Sequence, residues 1–351
     1  MSPHVLWQNA SPDLLASTRA GRLDPGANGG IAYEYHAVEA LRGAGVGVEV
    51  DEAAVRRPHE GMLAYWRRLR RQAPMAGTGL VVRDPRTLAF GAEVEAPVVA
   101  MVHHLDYARL RSTPRHRIYA ARLLRRLRRA DAVVTVSAFW KAELERVGCR
   151  RVHVVHNAFD PAEFEFEPGE VAAFRRAYGL PEDRPLVYVG NAIRVKGVEE
   201  VYEALKGEGY ALVMTGRHRD TDVPVRWLRL PRRDYLRLLA ACDVVVCMSR
   251  LLEGWNRVAH EAMLCGTPVV GSGVAGMGEL LAGGGQMVLK DAASLPEAVR
   301  AALAQREALG RAGRRFAEQF DTASFACAWV ALIEGTLAGE GAGAATKHAS
   351  V

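Results

Sequence analysis

One stretch of the sequence decides the fold class: residues 252–270 read LEGWNRVAHEAMLCGTPVV and hold two glutamates separated by seven residues. The apolar run at 243–249 before this stretch and the residues at 268–270 are each typical of a buried parallel strand. Asn256 is a good N-cap residue, so the sequence predicts a helix between the two strands. A strand–loop–helix–strand unit with an acid in its loop is typical of a ligand site in an open α/β sheet.

The two glutamates, Glu253 and Glu261, occupy positions that suit different parts of a phosphate-bearing ligand. The N-terminus of the predicted helix offers unpaired N–H groups and the positive end of the helix dipole, which favour a phosphate. Glu261, about two turns into that helix, can accept two hydrogen bonds from a vicinal diol such as a ribose. Glu253, in the loop before the helix, can bind the hydroxyl groups of a sugar.

The same segment resembles the retaining glycosyltransferases of family 4, which have the GT-B fold. Their hallmark is E-x7-E, usually inside a run such as E-G-F-G-x-x-x-x-E-A-M-A-C-G-T-P-V-V. The positions that follow this pattern here are Glu253, Gly254, Glu261, Ala262, Met263, Cys265, Gly266, Thr267, Pro268, Val269 and Val270. Trp255 replaces the usual phenylalanine, and Asn256 replaces a glycine in a loop whose backbone amides meet the donor sugar in the family. The resemblance implies a catalytic role for Glu253 and donor contacts from Gly254, Trp255, Asn256, Arg257, Val258 and Glu261.

A second loop resembles the phosphate-binding pattern of the family, G-R-x-x-x-x-K-G. Residues 190–197 read GNAIRVKG, so Lys196 is in register, and Asn191, an implied donor contact, stands where an arginine is expected. The sequence leaves open whether Arg194, in the same loop, replaces that arginine. The resemblance implies catalytic roles for Lys196 and Arg194, because a departing nucleoside diphosphate gains negative charge that positioned cations stabilise. No metal is implied, since these cations supply the countercharge.

The N-terminal half carries the remaining site positions of the family. Gly29 and Gly30 precede a helix predicted from Ile31, and the family has a glycine pair here beside the donor phosphates and the acceptor. His103 and His104 follow a predicted strand, where family members commonly place a histidine that approaches the donor sugar. His103 fits best by register and is the implied catalytic residue, although the sequence leaves open which of the two faces the donor.

Positive charge is concentrated in two short segments. The chain has a net charge of +6, and residues 66–71 and 122–129 are rich in arginine. In the second segment Leu123, Leu124 and Leu127 share one face of a predicted helix, with arginines around them. Such a helix suits the surface of an anionic membrane, and an ordinary solvated helix face is the alternative. We do not expect nucleic acid as a partner, because the basic residues lack interleaved aromatic residues and no nucleic-acid-binding motif is present.

Length and composition favour a two-domain cytoplasmic protein. The 351 residues suit two domains rather than one. The sequence contains no apolar run of about 20 residues and no signal-like N-terminus. Its five cysteines are scattered and odd in number, as in reduced proteins of the cytoplasm. We therefore expect a cytoplasmic location, with peripheral contact at the inner membrane face under the membrane interpretation.

The predicted fold class is α/β, with two doubly wound Rossmann-like domains of the GT-B class that face each other across a cleft. In this prediction residues 1–160 form the N-terminal acceptor-side domain, and a C-terminal helix at 323–337 crosses back to it. Residues 161–322 form the domain that binds the nucleotide sugar. The Gly/Ala-rich tail at 339–351 is expected to be disordered.

The implied activity is transfer of a hexose or related sugar from a nucleoside diphosphate donor to an acceptor hydroxyl, with retention of the anomeric configuration, as part of carbohydrate biosynthesis. The nucleotide sugar is then a substrate, and no cofactor is needed. The sequence does not identify the sugar, the nucleobase, the oligomeric state or the acceptor, which could be a glycan, a lipid or a small molecule. A nucleotide-sugar epimerase of the GT-B fold and a non-catalytic nucleotide-sugar-binding module are the alternatives.

Overall fold

The computed structural model describes residues 4–24, 27–72 and 77–339. The chain divides into two compact units, one formed by the residues up to Asn157 together with the segment from Thr322, and the other by Ala158–Asp321. Pro25 and Gly26, just before the predicted glycine pair, lie outside the described residues, as does the predicted disordered tail apart from Gly339.

The first unit is a parallel sheet with helices between its strands. Its strands are β1 (His4–Gln8), β2 (Gly47–Val50), β3 (Leu80–Arg83), β4 (Val98–Met101), β5 (Ala132–Thr135) and β6 (Val152–Val154). The helices are α1 (Pro12–Ala20), α2 (Gly29–Gly43), α3 (Met62–Arg71), α4 (Pro85–Phe90), α5 (Tyr107–Arg111), α6 (Pro114–Leu127) and α7 (Ala138–Arg146), with a 3-10 turn at Glu52–Ala54. The strand order is β2-β1-β3-β4-β5-β6, so the direction of winding reverses between β1 and β3. Ligands of open parallel sheets bind outside the carboxyl ends of the strands at such a reversal.

Helices cover both faces of this sheet, which explains why its strands are continuous apolar runs. Every residue of β3 and of β5 is buried. A core cluster that includes Leu88, Leu123 and Trp140 packs α4, α6 and α7 against the sheet. Burial on both faces is the usual condition of a parallel sheet, in contrast to the alternating pattern of a half-exposed one.

The second unit repeats this design. Its strands are β7 (Leu186–Asn191), β8 (Ala211–Thr215), β9 (Arg226–Leu228), β10 (Val244–Cys247), β11 (Val269–Ser272) and β12 (Met287–Leu289). Its helices are α8 (Glu170–Ala177), α9 (Val198–Leu205), α10 (Arg232–Ala241), α11 (Arg257–Leu264), α12 (Ala275–Gly283), α13 (Leu295–Ala304) and α14 (Arg306–Ala317), with 3-10 turns at Pro161–Phe164 and Arg194–Lys196. The order β12-β11-β10-β7-β8-β9 places the reversal between β7 and β10. The loops that follow these two strands therefore meet at one edge of the sheet.

Capping residues set where the helices begin. The Oδ1 atom of Asn28 accepts hydrogen bonds from the N–H groups of Gly30 and Ile31 at 3.0 and 3.1 Å. As a result α2 begins at the glycine pair, two residues earlier than the apolar pattern predicts. The predicted N-cap Asn256 is confirmed, and Ser137 caps α7 in the same way, since each side chain accepts a hydrogen bond from the N–H of the third residue after it.

The last helix, α15 (Thr322–Leu337), belongs to the first unit. Its Trp329 packs against Trp7 of β1 with ring centroids 5.2 Å apart, and its Phe325 packs edge-on against Tyr33 of α2 at 5.1 Å. These large buried rings fix α15 on the unit. Although α15 is rich in apolar residues, neither it nor another helix in the described ranges is long and apolar enough to cross a membrane.

Candidate active site

The predicted strand–loop–helix–strand segment is present in the second unit. β10 ends at Cys247, the loop carries Glu253, and α11 follows after Asn256. The Oδ1 atom of Asn256 accepts a hydrogen bond from the N–H of Ala259 at 2.9 Å, which satisfies one of the unpaired donors of the first helical turn. Glu261 is the fifth residue of α11, about one turn into the helix rather than two, because the cap lies directly before Arg257.

Lys196 and Glu253 form an ion pair at the edge of the second sheet. The Lys196 Nζ atom lies 2.6 Å from the Glu253 Oε1 atom, and the two side chains are 29% and 12% exposed. The pair joins the loops that follow β7 and β10, which are neighbouring strands at the reversal of the sheet. Gly197 permits this approach, because its φ is +76° and a Cβ there would collide with the Met248 carbonyl oxygen. Both charged residues were predicted as site residues from the sequence, and in the structure they lie in contact.

Glu261 is held by two residues of α10 that were not predicted from the sequence. The Arg232 Nη1 atom lies 2.6 Å from Glu261 Oε1, and the Tyr235 hydroxyl donates to Glu261 Oε2 at 3.0 Å. Burial, and then the negative charge of Glu261, raise the pKa of Tyr235, so its hydroxyl stays protonated and serves as a donor. The carboxylate is nearly buried, with a side-chain exposure of 5%. Two partners therefore orient Glu261 before any ligand binds.

Arg257, at the start of α11, completes the charged cluster around Glu261. Its guanidinium lies 3.9 Å from the Glu261 carboxylate and stacks over the Phe159 ring at 4.3 Å. Burial lowers the pKa of Arg257, an effect that the Glu261 charge opposes. Val258, another implied donor contact, is half-buried in the same helical turn, and Gly254 is buried in the loop before it.

Two implied donor contacts, Trp255 and Asn191, use their side chains in the interior of the second unit. The Trp255 indole donates to His260 Nδ1 at 3.0 Å and packs against Phe320. The Asn191 Oδ1 atom accepts hydrogen bonds from the Tyr188 hydroxyl at 3.1 Å and from the Thr215 hydroxyl at 3.2 Å. These contacts help to hold the two loops in place.

Arg194 is turned toward acids of the second unit rather than toward the Lys196–Glu253 pair. Its Nε atom donates to the Asp220 carbonyl oxygen at 2.7 Å and lies 3.5 Å from Glu199 Oε1. Its side chain is 56% exposed. The structure therefore does not place Arg194 as a replacement for the arginine expected at position 191, and Lys196 is the cation beside Glu253.

In the first unit the glycine pair and His103 lie together. A Cβ on Gly30 would lie 3.4 Å from the Nε2 and Cδ2 atoms of His103, so that ring edge packs directly on the start of α2. Gly29 precedes it as the first residue of the helix. His104 is exposed and lies 6.4 Å from the Trp140 ring instead. The structure therefore assigns the position against the glycine pair to His103.

A buried carboxylate, Glu34, completes this group and was not predicted. Its Oε2 atom accepts hydrogen bonds from the Trp7 indole and from the Asn9 amide, both at 2.7 Å. Its Oε1 atom lies 3.7 Å from His103 Nε2. Trp7 lies in β1 and Asn9 follows the last residue of that strand, so their spacing of two is a weak signal that they share a partner.

Two family models match the chain. Residues 25–163 match the model described as Glycosyltransferase Family 4, and residues 183–305 match the model described as Glycosyl transferases group 1. The first match lies almost entirely in the first unit and the second lies within the second unit.

Several characterised proteins are similar to part of the chain. Alpha-maltose-1-phosphate synthase from Mycolicibacterium smegmatis is 32% identical over 59% of this chain and 62% of its own length. Glycogen synthase from Mycobacterium tuberculosis is 32% identical over 58% of this chain and 53% of its own length. The 2-deoxystreptamine glucosyltransferase of Streptomyces kanamyceticus is 31% identical over 43% of this chain and 45% of its own length. The chain thus spans about half of the length of the relatives that it matches.

Solved structures are similar over nearly the whole chain. Sucrose-phosphate synthase from Thermosynechococcus elongatus has a TM-score of 0.78 at 20% identity, over 96% of this chain and 100% of that chain. WaaG, a glycosyltransferase involved in lipopolysaccharide biosynthesis, has a TM-score of 0.70 at 18% identity, over 95% and 100%. Anabaena HepE in complex with UDP-glucose has a TM-score of 0.68 at 20% identity, over 95% and 99%. These likenesses confirm the predicted GT-B fold class. The chain is thus similar to family 4 glycosyltransferases in its first unit and to group 1 glycosyltransferases in its second.

Proposed function

We propose that the protein is a retaining glycosyltransferase that moves a sugar from a nucleoside diphosphate donor to an acceptor hydroxyl. The observation that carries this proposal is the Lys196–Glu253 pair at the reversal of the second sheet, 2.6 Å between the charged atoms. It supplies a cation for a diphosphate and an acceptor for sugar hydroxyls within one small area. The names of the similar proteins support it, since they include synthases, a glucosyltransferase and a structure with bound UDP-glucose.

Lys196 and Glu253 act one after the other in this proposal. A donor diphosphate attracts the Lys196 ammonium, which releases the Glu253 carboxylate to accept hydrogen bonds from hydroxyls of the sugar. As the glycosidic bond breaks, the leaving diphosphate gains negative charge, and Lys196 stabilises that charge more than it stabilises the ground state. Before the donor binds, the ion pair thus holds both side chains in position and neutralises their charges.

Glu261 binds the ribose of the donor in this proposal. Each carboxylate oxygen already accepts one donor, Arg232 on Oε1 and Tyr235 on Oε2. Each oxygen retains a second lone-pair position, so a vicinal diol can donate one hydrogen bond to each without displacing either residue. The nucleobase is not specified by these contacts.

Retention of configuration follows, in this proposal, from attack of the acceptor on the same face that the diphosphate leaves. The leaving phosphate oxygen takes the proton of the acceptor hydroxyl, so the protein needs no carboxylate base of its own. A double-displacement route would instead need two carboxyl groups about 5–5.5 Å apart around the reacting carbon. Positioning and stabilisation of the leaving group are then the main contributions of the chain.

A thermal-shift screen over a panel of nucleotide sugars tests the function. A donor at 100 times its dissociation constant should stabilise the protein by about 2.7 kcal/mol. The selected donor is then incubated with candidate acceptors, and NMR of the product reports whether its anomeric configuration matches that of the donor. An epimerised nucleotide sugar without acceptor would favour the epimerase alternative, and binding without any product would favour the non-catalytic module.

Metal-independent activity is a second expected result. Lys196 and the N-terminus of α11 supply the positive charge that a diphosphate requires. The sequence Asp220-Thr221-Asp222 has the spacing of some metal-binding motifs, and its Asp220 carboxylate accepts a hydrogen bond from the backbone N–H of Arg194 at 2.6 Å. We expect initial rates to be unchanged in excess EDTA. Loss of activity in EDTA, with recovery on addition of magnesium or manganese, would contradict this accounting of charge.

We further propose that an anionic membrane surface is a partner of the first unit. Residues 107–129, which include α5 and α6, contain nine arginines and no aspartate or glutamate, and α3 adds four more arginines without an acid. Helices α3 and α6 belong to one surface, because both contact Phe90. Trp66 of α3 stacks on the Phe90 ring at 3.7 Å, and Tyr119 of α6 stacks on it at 5.7 Å. Burial, and then the positive charge of Arg70 and other arginines nearby, lower the pKa of Arg122. Arg68 pairs with Glu60 at 2.8 Å and Arg126 with Glu93 at 3.3 Å, and the remaining arginines leave an excess of positive charge that favours anionic lipid.

Exposed apolar side chains lie among these arginines. Leu63 of α3 is 59% exposed and Ile118 of α6 is 60% exposed. Apolar side chains beside basic ones are the pattern of a surface that lies at the boundary between headgroups and acyl chains. This surface lies on the first unit, which the resemblance associates with the acceptor, so the proposal favours a lipid-linked acceptor.

The membrane proposal predicts salt-sensitive binding to anionic vesicles. The protein should co-sediment with vesicles that contain phosphatidylglycerol and dissociate as ionic strength rises, because charge attraction is screened. Replacing Arg67 and Arg70 with glutamine should weaken binding by roughly fivefold for each charge removed, about 1 kcal/mol apiece. Val288→Asp, at an apolar residue of the second unit that is 47% exposed, is the control and should bind like the wild type. No binding at low salt, or equal binding to neutral phosphatidylcholine vesicles, would refute the proposal.

A further inference from the structure

Glu34 and His103 form a buried arrangement in the first unit that the proposed mechanism does not use. We propose that Glu34 is a positioning residue that holds the His103 ring in the tautomer protonated at Nε2, so that Nδ1 is the hydrogen-bond acceptor of the ring. The supporting geometry is that His103 Nε2 is fully buried, has no hydrogen-bond partner among the described residues, and faces Glu34 Oε1 at 3.7 Å.

The position of the His103 ring is fixed from two sides. The ring lies 5.0 Å from the Tyr33 ring at an interplanar angle of 87°, and its Nε2–Cδ2 edge packs on Gly30. Tyr33 is itself anchored, because its hydroxyl donates to the Val155 carbonyl oxygen at 2.9 Å. The ring is thus confined with one nitrogen toward the carboxylate.

The two oxygens of Glu34 have different surroundings, and this difference determines the tautomer. Oε2 accepts hydrogen bonds from Trp7 Nε1 and Asn9 Nδ2, both at 2.7 Å. Oε1 faces His103 and, as a carboxylate oxygen, can only accept. If Nε2 lacked a proton, its lone pair would face a lone pair of Glu34 Oε1, and the two would repel. If Nε2 carries the proton, it is a donor that faces an acceptor. A distance of 3.7 Å is longer than a hydrogen bond, and hydrogen bonds in sites without ligand often shorten when the ligand binds.

Substitution of Glu34 by glutamine should reverse the tautomer rather than remove the contact. The indole of Trp7 and the amide of Asn9 both donate to one position, which only the carbonyl oxygen of glutamine can occupy. The glutamine NH₂ group must then take the other position and donate toward His103 Nε2. Nε2 becomes the acceptor, and the proton moves to Nδ1. The group that the ring presents on its other side changes from an acceptor to a donor.

The catalytic consequence rests on the proposed function and adds to it the catalytic role that the resemblance implies for His103. A ring that presents N–H where an acceptor is required should lower turnover while the ring itself stays in place. We expect Glu34→Gln to lower kcat by about tenfold, with little change in KM for the donor, because a correctly protonated group contributes mainly to the chemical step.

The tautomer can be measured without any substrate. Long-range ¹H–¹⁵N correlation NMR of ligand-free protein labelled at histidine distinguishes a ring protonated at Nε2 from one protonated at Nδ1, and His103→Gln identifies the His103 signals. We expect Nε2–H in the wild type and Nδ1–H in Glu34→Gln. Thermal unfolding of Glu34→Gln should stay close to the wild type, because both hydrogen bonds from Trp7 and Asn9 persist. The control is Glu39→Gln in the same helix, whose carboxylate pairs with Arg42 at 3.0 Å and should leave the His103 tautomer unchanged.

The outcomes separate this inference from the proposed function. A wild-type His103 ring protonated at Nδ1, or a Glu34→Gln ring that keeps the wild-type tautomer, would overturn the inference. A reversed tautomer with unchanged kcat would overturn the positioning role. If no donor is turned over by the wild type, the proposed function fails, whereas the ligand-free NMR measurement still decides whether Glu34 sets the tautomer.

Discussion

Replacing Lys196 with alanine should lower sugar-transfer turnover by about 10²–10³-fold, the usual effect of removing one preorganised group that stabilises developing charge. Lys196 is the cation that the structure places beside Glu253, at 2.6 Å, while Arg194 is turned toward Asp220 and Glu199. The loss should appear in kcat as well as in nucleoside diphosphate affinity, because the ammonium contacts the phosphates in the ground state and more strongly in the transition state. Initial rates beside calorimetric titration with the nucleoside diphosphate measure the two effects.

A matched lysine of the same unit controls for the loss of a surface charge. Lys206 pairs with Glu203 at 2.6 Å near the end of α9, and its side chain is 51% exposed. Lys206→Ala should keep wild-type rates and affinity. Lys196→Arg keeps the charge with a different geometry and should retain part of the activity. Full activity in Lys196→Ala, with thermal stability unchanged, would show that the diphosphate does not bind at this loop.

The fold could be predicted because the signals that define it are local. Apolar runs such as 243–249 are typical of strands in a covered parallel sheet, and Asn256 is a good cap for the helix that follows it. The predicted start of α2 was two residues late, because the apolar pattern does not show the cap that Asn28 provides. Local signals of this kind decide which elements form, while their ends depend on individual hydrogen bonds.

The partners of the site residues could not be predicted, because they come from distant parts of the sequence. Arg232 is 29 positions from Glu261, and Trp7 is 27 positions from Glu34. Which of the many arginines reaches Glu261 depends on how α10 packs beside α11, and periodicity does not specify that packing. Trp255 shows the same limit, since its place in the motif gave no indication that its indole would donate to His260.

Glu253 and Glu261 should give different defects, although they belong to one sequence motif. Glu261→Gln removes the charge that accepts hydrogen bonds from the ribose, and each hydrogen bond to a charged group is worth about 1.5–3 kcal/mol. We therefore expect affinity for both the bare nucleoside diphosphate and the full donor to fall by about 10- to 100-fold. Glutamine is preferred to alanine here, because it still offers a polar partner to Arg232 and Tyr235.

Glu253→Gln should leave the affinity for the bare nucleoside diphosphate within about twofold of the wild type, because its carboxylate faces Lys196 and the proposed sugar position rather than the ribose. Turnover of the full donor should fall by about 10²-fold, since sugar hydroxyls lose a charged acceptor that orients the reacting carbon. Calorimetric titration of both variants, beside initial rates, makes the comparison, and Glu297→Gln on the exposed face of α13 controls for the loss of a surface carboxylate. Identical loss of nucleotide affinity in Glu253→Gln and Glu261→Gln would refute the division between sugar and ribose. Full activity in both variants would refute the glycosyltransferase assignment of this site, because the reaction would then need neither of the two carboxylates that are proposed to bind the donor.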